Sequence, residues 1–305
     1  MGQMLVLRWI EGLRTPFFDV FFSWVTKFGE ETIMVLLAMI VLWCINKKKG
    51  LYMLLVGFLG LLINQTIKIT ARVPRPWVKH PDFTIVESAR DMAVGYSFPS
   101  GHTQISVGLY GSIVRITGNK YFRLICILLS VLVPFSRLYL GVHTPADVLF
   151  SVLCAVILIF VLYPIIVNQY DNMKTMNLFF ALLVVLNLGY LAYVLLFPFP
   201  IHTDAANLED AVHHGYTMLG IVLGIWVGYN VDTKFIRYQT EAVWWGQICK
   251  VLGGLLLFAG MRAGLKAWLP LLLGAHPVND SIRYFLTVVV MTNVWPLTFR
   301  FFPKR

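Results

Sequence analysis

The sequence predicts an all-α fold, a polytopic transmembrane helical bundle of about nine spans preceded by an N-terminal interfacial helix. Of the 305 residues, 58% belong to the apolar set and only 13% are charged, whereas roughly 25% of the residues in an ordinary soluble domain are charged. Nine bilayer crossings at ~20 residues each would use about 180 residues, which is close to the apolar content. This composition excludes a typical water-soluble enzyme.

The first element, residues 1–28, mixes apolar and charged side chains. Trp9 and Leu13 stand among Arg8, Glu11 and Arg14, a mixture that suits a helix lying along the headgroup boundary. Nine apolar stretches follow, each near the length that a bilayer demands. They lie at about residues 31–46, 51–71, 103–118, 121–139, 147–167, 176–199, 213–230, 247–272 and 283–301.

These elements divide the chain into three regions. We expect an interfacial amphipathic helix at 1–28, a core of about five spans at 29–168, and a C-terminal extension of four spans at 169–305. The boundary between the last two is the polar segment 168–174, which follows the fifth span. The sequence contains no internal repeat and no second soluble domain.

The formal net charge of +10 is interpreted as an orientation signal in the membrane rather than as a nucleic-acid site. The basic residues of the short connections all fall on one predicted face, which the positive-inside rule makes cytoplasmic. They are Lys47, Lys48, Lys49, Lys120, Arg123, Lys174, Lys234, Arg237, Arg300, Lys304 and Arg305. The opposite, extracytoplasmic face receives the loops at 72–102, 137–146, 200–212 and 273–282.

The four cysteines give no sign of a metal or redox site. Cys44, Cys126, Cys154 and Cys249 are far apart and lie in or beside apolar stretches, so they are interpreted as small core residues. We expect no cofactor and no metal.

Three clusters of polar residues fall on the outer face, and together they suit a phosphate. The first contains Lys68 and Arg75, the second runs from Pro99 to His102, and the third is the segment 136–147. Lys68, Arg75 and Arg137 supply an ammonium group and two guanidinium forks, which can neutralise a phosphoryl group without a metal.

The second cluster, Pro-Ser-Gly-His, stands at the start of the third apolar stretch. Ser100 is placed to cap that helix, so that the amides near Gly101 would point at an anion with the helix dipole behind them. His102 follows on the first helical turn.

The third cluster places a histidine ahead of a carboxylate. Thr144 can cap the next helix and Pro145 can occupy its first position, which puts Asp147 in the first turn with His143 just before it. Asp147 could then accept the proton-bearing nitrogen of His143 and leave the other nitrogen free to attack.

The clusters have the spacings K-x6-R-P, P-S-G-H and S-R-x5-H-x3-D, and in these positions the chain resembles the type 2 phosphatidic acid phosphatase superfamily. The resemblance covers about residues 15–165 and departs from none of the signature positions. The superfamily also includes the vanadium haloperoxidases. Nine spans with an outward N-terminus are similar to its glucose-6-phosphatase and sphingoid-phosphate phosphatase branches.

The resemblance makes residues 29–168 the catalytic phosphatase core and implies a role for each matched position. His143 would attack phosphorus and form a phosphohistidine, with Asp147 fixing its tautomer. His102 would protonate the leaving oxygen and then activate water. The phosphate-binding residues would be Lys68, Arg75, Ser100, Gly101 and Arg137.

Other polar residues could bind a headgroup or a second phosphate. Arg72 and Arg90 stand on the long outer loop, where solvation or contact with anionic lipid is the simpler alternative. Arg262 and Lys266 interrupt an apolar stretch one helical turn apart, and pairing with an outer acidic residue is an equal alternative. For His213 and its acidic neighbours, an interfacial cap is preferred over a metal site.

These observations lead to an integral-membrane phosphatase that hydrolyses a lipid phosphate or pyrophosphate, whether phosphatidate-like, polyprenyl or sphingoid, at the extracytoplasmic face. Transfer to another lipid and hydrolysis of a sugar phosphate are alternatives within the superfamily. A lipid-phosphate transporter or scramblase is the alternative of another class, although binding alone does not need His102, His143 and Asp147. The expected location is the bacterial cytoplasmic membrane, or the endoplasmic reticulum with a lumenal site in a eukaryote. The expected partner is a lipid from the bilayer and not a nucleic acid, and a homodimer is one option for assembly.

Overall fold

The computed structural model describes residues 2–90, 93–200 and 203–303. Throughout these residues the regular structure is helical, with no β-strand, so the predicted all-α class is confirmed. The predicted basic tail includes Lys304 and Arg305, which lie outside the described residues, and the outer loops at 72–102 and 200–212 are described except for 91–92 and 201–202.

Helices account for most of the described chain. Its first half contains α1 Gly2–Glu11, α2 Pro16–Val25, α3 Glu31–Ile40, α4 Lys47–Ala71, α5 Pro76–Lys79, α6 Gly101–Ile116, α7 Lys120–Tyr139 and α8 Pro145–Tyr163. Its second half contains α9 Met173–Leu196, α10 Ala205–Val231, α11 Trp244–Leu273, α12 Val278–Val289 and α13 Trp295–Leu297. Short 3-10 or π segments extend or connect them at Thr26–Gly29, Val41–Ile45, Glu87–Ala89, Pro164–Asn168, Asp232–Ile236, Val290–Val294 and Thr298–Phe301.

The number of spans differs from the predicted nine. Among the described residues, seven helices are long and apolar enough to cross a membrane, and a bent pair of helices brings the total to eight. The difference arises at two places. The stretch predicted at 103–118 is the 16-residue helix α6, only about 24 Å long at 1.5 Å per residue, and the stretch at 31–46 belongs to the bent pair.

The predicted interfacial helix at 1–28 is not confirmed. The segment contains two helices, and α2 with the following 3-10 turn forms the bent pair with Glu31–Ile45, at an angle of 51°. Leu7 and Ile10 of α1 are buried, Leu7 against Phe83 of the long loop and Ile10 in a cluster with Tyr139 of α7. One side of α1 therefore packs on protein, while Leu5 and Trp9 are 71% and 66% exposed.

In this chain some charged side chains are buried and many large apolar side chains are exposed, the reverse of the pattern in a soluble protein. Arg137 is 1% exposed and Lys250 is fully buried, whereas Leu149 is 68% and Leu256 75% exposed. Large apolar side chains gain nothing from facing water, while lipid tails accept them. The distribution therefore fits helices whose outer surface contacts lipid.

The chain forms two compact units, which comprise Met1–Ala38 with Leu51–Pro164, and Met39–Gly50 with Ile165–Arg305. In the first unit, Gly60 of α4 allows Gln104 of α6 to approach, because a Cβ at Gly60 would lie 3.0 Å from the Gln104 Nε2 atom. This close approach brings the start of α6 beside the end of α4. Lys68 and His102 stand on those two segments.

In the second unit, helix α10 carries Gly220 and Gly224 on the face that packs against α12. A Cβ on Gly220 would lie 2.2 Å from the carbonyl oxygen of Ser281, and one on Gly224 would lie 2.7 Å from the Cβ atom of Val288. The two glycines are four residues apart and so share a helix face. Helix α12 therefore lies against the bare backbone of α10.

Candidate active site

One cavity in the first unit gathers residues from all three sequence clusters. Its volume is about 340 Å³. Lys68, Arg75, Gly101, His102, Arg137 and His143 all line it. Ser100 and Asp147 stand behind this wall, both 2% exposed or less.

The turn between α7 and α8 carries His143 and ends in a capping box. Thr144 Oγ1 accepts a hydrogen bond from the Asp147 amide at 3.4 Å, and Asp147 Oδ2 accepts one from the Thr144 amide at 2.8 Å. Pro145 is the first residue of α8. The cap expected from the sequence is therefore present, and it fixes the Asp147 carboxylate beside the histidine ring.

The two ring nitrogens of His143 face different partners. Nδ1 is 3.4 Å from Asp147 Oδ2, and the same oxygen accepts a hydrogen bond from Ser97 Oγ at 2.6 Å. Nε2 is 2.9 Å from Nη1 of Arg75. A guanidinium can only donate, so Nε2 accepts and the proton of the neutral ring is on Nδ1, which lies near Asp147 without forming a hydrogen bond to it.

Burial keeps His143 neutral. The ring is almost completely removed from water, and this desolvation lowers the pKa of His143 well below its ordinary value. The nearby charges of Arg75, Arg137 and Lys68 lower the pKa further because they disfavour a second cation. A neutral imidazole has a lone pair that can attack phosphorus.

Arg75 is fixed mainly by backbone carbonyls. Its Nε donates to the Gly95 carbonyl at 3.0 Å and its Nη2 to the Val94 carbonyl at 2.8 Å. Its Nη1 donates to the Val142 carbonyl at 2.9 Å as well as to His143. These neutral acceptors orient the guanidinium and leave its positive charge without a carboxylate partner.

Arg137 and Lys68 complete the cationic wall. Arg137 donates from Nη1 to the Thr26 hydroxyl at 2.6 Å, and its buried Nε has no hydrogen-bond partner. Among the residues the structure describes, neither Lys68, Arg75 nor Arg137 forms an ion pair within 4.0 Å. Three cations without a direct ion pair, at a small cavity that Glu30 and Glu31 also line, provide a binding site for a dianion.

The start of α6 meets the third cluster through the backbone. Ser100 caps α6 by accepting from the Thr103 amide at 3.4 Å, as the sequence predicts, and its own amide donates to the Asp147 carbonyl at 3.3 Å. His102 lies in the first helical turn, and its buried Nε2 has no hydrogen-bond partner. That nitrogen is available to a group bound in the cavity.

Gly141 allows the tight turn before His143. Its φ of +80° falls where glycine is favoured, and a Cβ there would lie 2.6 Å from Nη2 of Arg14. Arg14 donates from Nε to the Tyr139 carbonyl at 2.9 Å. The N-terminal segment thus supports the turn that presents the histidine.

Several residues that line the cavity were not predicted. They are Gly29, Glu30, Glu31, Thr32, Leu61, Asn64, Gln65, Val94 and Ile105. Asn64 could have been found, because it precedes Lys68 by four residues within an apolar stretch and therefore shares its helix face. Glu30 and Glu31 carry no such signal, since acidic residues at a helix start are explained by the helix dipole.

The residues considered for a headgroup or a second phosphate do not join this wall. Arg72 and Arg90 are absent from the cavity lining, and Arg90 contacts the Glu87 carboxylate at 2.7 Å. Arg262 is exposed on α11, and Lys266 lines a separate cavity in the second unit. Across residues 2–90, 93–200 and 203–303, no three His, Cys, Asp or Glu side chains are grouped to hold a metal ion.

Comparison with known proteins places this geometry in a family. A family model described as PAP2 superfamily matches residues 49–171, and a second, PAP2 superfamily phosphatase, transmembrane extension, matches residues 216–304. The first match contains all three clusters. The second shows that the C-terminal helices form a recognised part of such proteins, and it supports an integral membrane protein.

Among similar proteins is the undecaprenyl-diphosphatase BcrC of Bacillus subtilis, 34% identical over 118 residues, which are 39% of this chain and 58% of the relative. A probable sphingosine-1-phosphate phosphatase of Dictyostelium discoideum is 29% identical over 160 residues, 48% of this chain and 38% of the relative. The chain therefore spans about two to three fifths of these relatives. A crystal structure of Aquifex aeolicus LpxE has a TM-score of 0.43 and 23% identity, over 53% of this chain and 94% of that one.

Two models of one superfamily match, and together they span more than half of the chain. The first match includes the segments that form the cationic cavity. We conclude that this chain belongs to the PAP2 superfamily.

Proposed function

We propose that this protein hydrolyses a phosphate or pyrophosphate ester of a membrane lipid through a phosphohistidine intermediate. The observation that carries the proposal is the position of His143, between Asp147 at Nδ1 and Arg75 at Nε2, in a cavity that Lys68, His102 and Arg137 also line. Cations alone would suffice to bind a headgroup. A histidine whose Nδ1 lies 3.4 Å from a carboxylate, which would stabilise the charge that develops on the ring, suits nucleophilic attack.

In the first step His143 Nε2 forms a bond to phosphorus as the bond from phosphorus to the lipid oxygen breaks. The leaving oxygen takes a proton from His102, and Asp147 stabilises the charge that develops on the His143 ring. The bound dianion favours the protonated form of His102 before this step. Lys68, Arg75 and Arg137 stabilise the equatorial phosphoryl oxygens.

In the second step water replaces the histidine. His102, now the conjugate base, takes a proton from a water molecule whose oxygen bonds to phosphorus while the bond to Nε2 breaks. Inorganic phosphate leaves and both histidines return to their starting states. The Ser100 hydroxyl caps the start of α6, and the Gly101 amide at the first position of that helix would donate to a phosphoryl oxygen.

The substrate class follows from chemistry that the relatives' names share. One name refers to a polyprenyl diphosphate and the other to a sphingoid phosphate, and both are phosphate esters of long apolar alcohols. A cavity in a bundle with an apolar outer surface allows such a substrate to enter from the bilayer. We infer that the headgroup occupies the cavity and that the tail remains in lipid.

We further propose that the reaction takes place at the extracytoplasmic face and needs no metal. The basic connections predict the orientation. Lys68, Arg75 and Arg137, none of which forms an ion pair among the described residues, would provide the charge neutralisation that a metal ion would otherwise supply. Activity that persists in a chelator and a site reached by an impermeant inhibitor would support these two statements.

The test uses the purified full chain in detergent with undecaprenyl pyrophosphate, sphingosine 1-phosphate and lysophosphatidic acid. We expect phosphate release from at least one of them and an acid-labile phosphoenzyme when the substrate phosphorus is labelled. His143→Asn should abolish both signals, while the matched control His80→Asn, outside the cavity lining, should retain them. Release of phosphate by His143→Asn at the wild-type rate would overturn the proposal.

The same experiment separates the alternatives. Transfer to another lipid would give the phosphoenzyme but would require an added lipid alcohol for turnover. A transporter or scramblase would bind the substrate and release no phosphate, and His143→Asn would leave its lipid movement intact.

A further inference from the structure

A second cavity lies wholly within the second unit, and it has a different character. Its volume is about 500 Å³. It is bounded by the start of α10, the end of α11, and the start of α12 with the residues preceding it. Apolar side chains form much of its wall, and the polar side chains Glu209, His213, Lys266, His276, Asn279, Asp280 and Arg283 also line it.

Part of this polar lining is internally neutralised. Asp280 Oδ1 contacts Nη2 of Arg283 at 2.6 Å, and its Oδ2 contacts Nδ1 of His213 at 2.5 Å. The Asp280 and Arg283 side chains are only 15% and 17% exposed. Both oxygens of the carboxylate are thus in use, and this trio fixes the cavity wall.

The remaining polar groups include one unpaired positive charge, one unpaired negative charge, and a donor and an acceptor without partners. Lys266 and Glu209 form no ion pair among the described residues. Two buried atoms, Nε of Arg283 and Oδ1 of Asn279, have no hydrogen-bond partner. The Asn279 orientation is fixed because its Nδ2 donates to the Gly274 carbonyl at 2.6 Å. Buried polar atoms without partners are costly, so a ligand that pairs with them would be stabilised.

The formal charges of the lining balance. Lys266 and Arg283 supply two positive charges, and Glu209 and Asp280 supply two negative charges. An anionic ligand would be repelled by the Glu209 carboxylate, and a cationic ligand would be repelled by the Lys266 ammonium group. A ligand with one charge of each sign matches both.

Helix α11 supplies an apolar surface beside the cavity. Trp268, Leu271 and Leu272 are 66%, 78% and 74% exposed, and they lie within six residues of Lys266. A tail attached to the charged group could lie along this surface, which is typical of sites where an aromatic residue meets the headgroup layer.

We propose that this cavity binds the headgroup of a zwitterionic aminophospholipid, a phosphodiester joined to a primary ammonium group. Lys266 and Arg283 Nε donate to the phosphate oxygens, and Glu209 and Asn279 Oδ1 accept from the ammonium group. A trimethylated ammonium has no N–H to donate and would leave these acceptors unpaired. The site lies outside the phosphate cavity and does not rest on the proposed phosphatase activity.

The test is lipid retention by the full chain in native mass spectrometry, with phosphatidylethanolamine, phosphatidylglycerol and phosphatidylcholine of identical acyl chains. Wild-type protein should retain phosphatidylethanolamine best. Lys266→Gln should weaken retention of both phosphatidylethanolamine and phosphatidylglycerol about tenfold, the usual effect of losing a charge-assisted hydrogen bond. Glu209→Gln should weaken retention of phosphatidylethanolamine alone by a similar factor.

Matched controls are Lys234→Gln and Glu241→Gln, exposed residues of the same unit that are absent from the cavity lining. Both should retain lipids as the wild type does, and thermal unfolding should show that all four variants are folded. If Glu209→Gln keeps the preference for phosphatidylethanolamine, the proposal is overturned in favour of a simple anion site. If both cavity variants match their controls, no headgroup binds there and the proposal is wrong.

Discussion

Each compact unit contains an arginine, a histidine and an aspartate in close contact, but in a different order. In the first unit the histidine is in the middle, because His143 lies between Arg75 and Asp147. In the second unit the aspartate is in the middle, because Asp280 lies between Arg283 and His213. The same three residue types therefore give two electrostatic outcomes.

The order determines which charge remains available to a ligand. With aspartate in the middle, the Arg283 charge is paired within the protein and only its Nε remains to donate to a ligand. With histidine in the middle, the arginine is oriented by neutral carbonyls and its charge remains available to a phosphate. Residue composition alone would not distinguish the trio whose arginine lacks a carboxylate partner from the trio whose arginine is paired with aspartate.

The largest effect on activity should come from removing the positive charge of Arg75. Under the proposed function, Arg75→Gln should lower kcat for a lipid phosphate by about 10²- to 10³-fold, as expected when one donor to a developing oxyanion is lost. Arg283→Gln should leave kcat within about threefold, because Asp280 already neutralises that charge. Steady-state phosphate release from folded, detergent-purified variants measures both. Equal losses in the two variants would contradict the comparison.

A smaller effect should come from the helix packing that forms the second unit. Gly220→Ala should destabilise the protein by about 2–3 kcal/mol, because the new Cβ would meet the backbone carbonyl of Ser281 at 2.2 Å and neither helix can yield freely. Gly260→Ala on α11 is the matched control, since no atom lies within 4 Å of its Cβ position. It should be neutral or stabilising by up to about 1 kcal/mol, from helix propensity alone.

Thermal unfolding in detergent, monitored by circular dichroism, measures this pair. A Gly220→Ala variant as stable as Gly260→Ala would show that α10 and α12 do not pack through bare backbone in solution.

The smallest expected effect concerns the protonation of His143 as the pH falls. Because its pKa is lowered, His143 should remain neutral as the pH falls through 6.5, the ordinary histidine value. The neutral buried ring contributes stability that is fully present above pH 6.5 and is lost as the pH falls toward the lowered pKa. Nuclear magnetic resonance of ring-labelled histidine measures this directly, with the His143→Asn spectrum providing the assignment. A midpoint near 6.5 for the His143 signal would contradict the buried, cation-flanked site.

Local features of the fold and site could be predicted from the sequence. Ser100 and Thr144 act at the helix starts where their types and neighbours place them, because capping depends on residues three positions apart. The all-α class follows from the apolar runs. The count of spans was less predictable, since α6 is short and carries polar residues that are buried where it packs against other helices, chiefly α7 and α8.

Long-range partners could not be predicted in the same way. Arg75 and His143 are 68 residues apart, and His213 and Asp280 are 67 apart, so no periodicity connects them. Arg262 and Lys266 have the same spacing as Asn64 and Lys68, yet only Lys266 of the first pair lines a cavity. The tertiary packing of each helix decides which of its faces meets other polar groups.

The hydrogen-bond pattern of Arg75 has a consequence for the timing of the reaction. Four of its five N–H groups are already used, one of them on Nε2 of His143. Only one N–H of Nη2 remains for a phosphoryl oxygen, so a second hydrogen bond from Arg75 to the phosphate would have to come from one of these four. Under the proposed mechanism the Nε2 lone pair that attacks phosphorus is the one that accepts from Arg75, so attack requires that hydrogen bond to break.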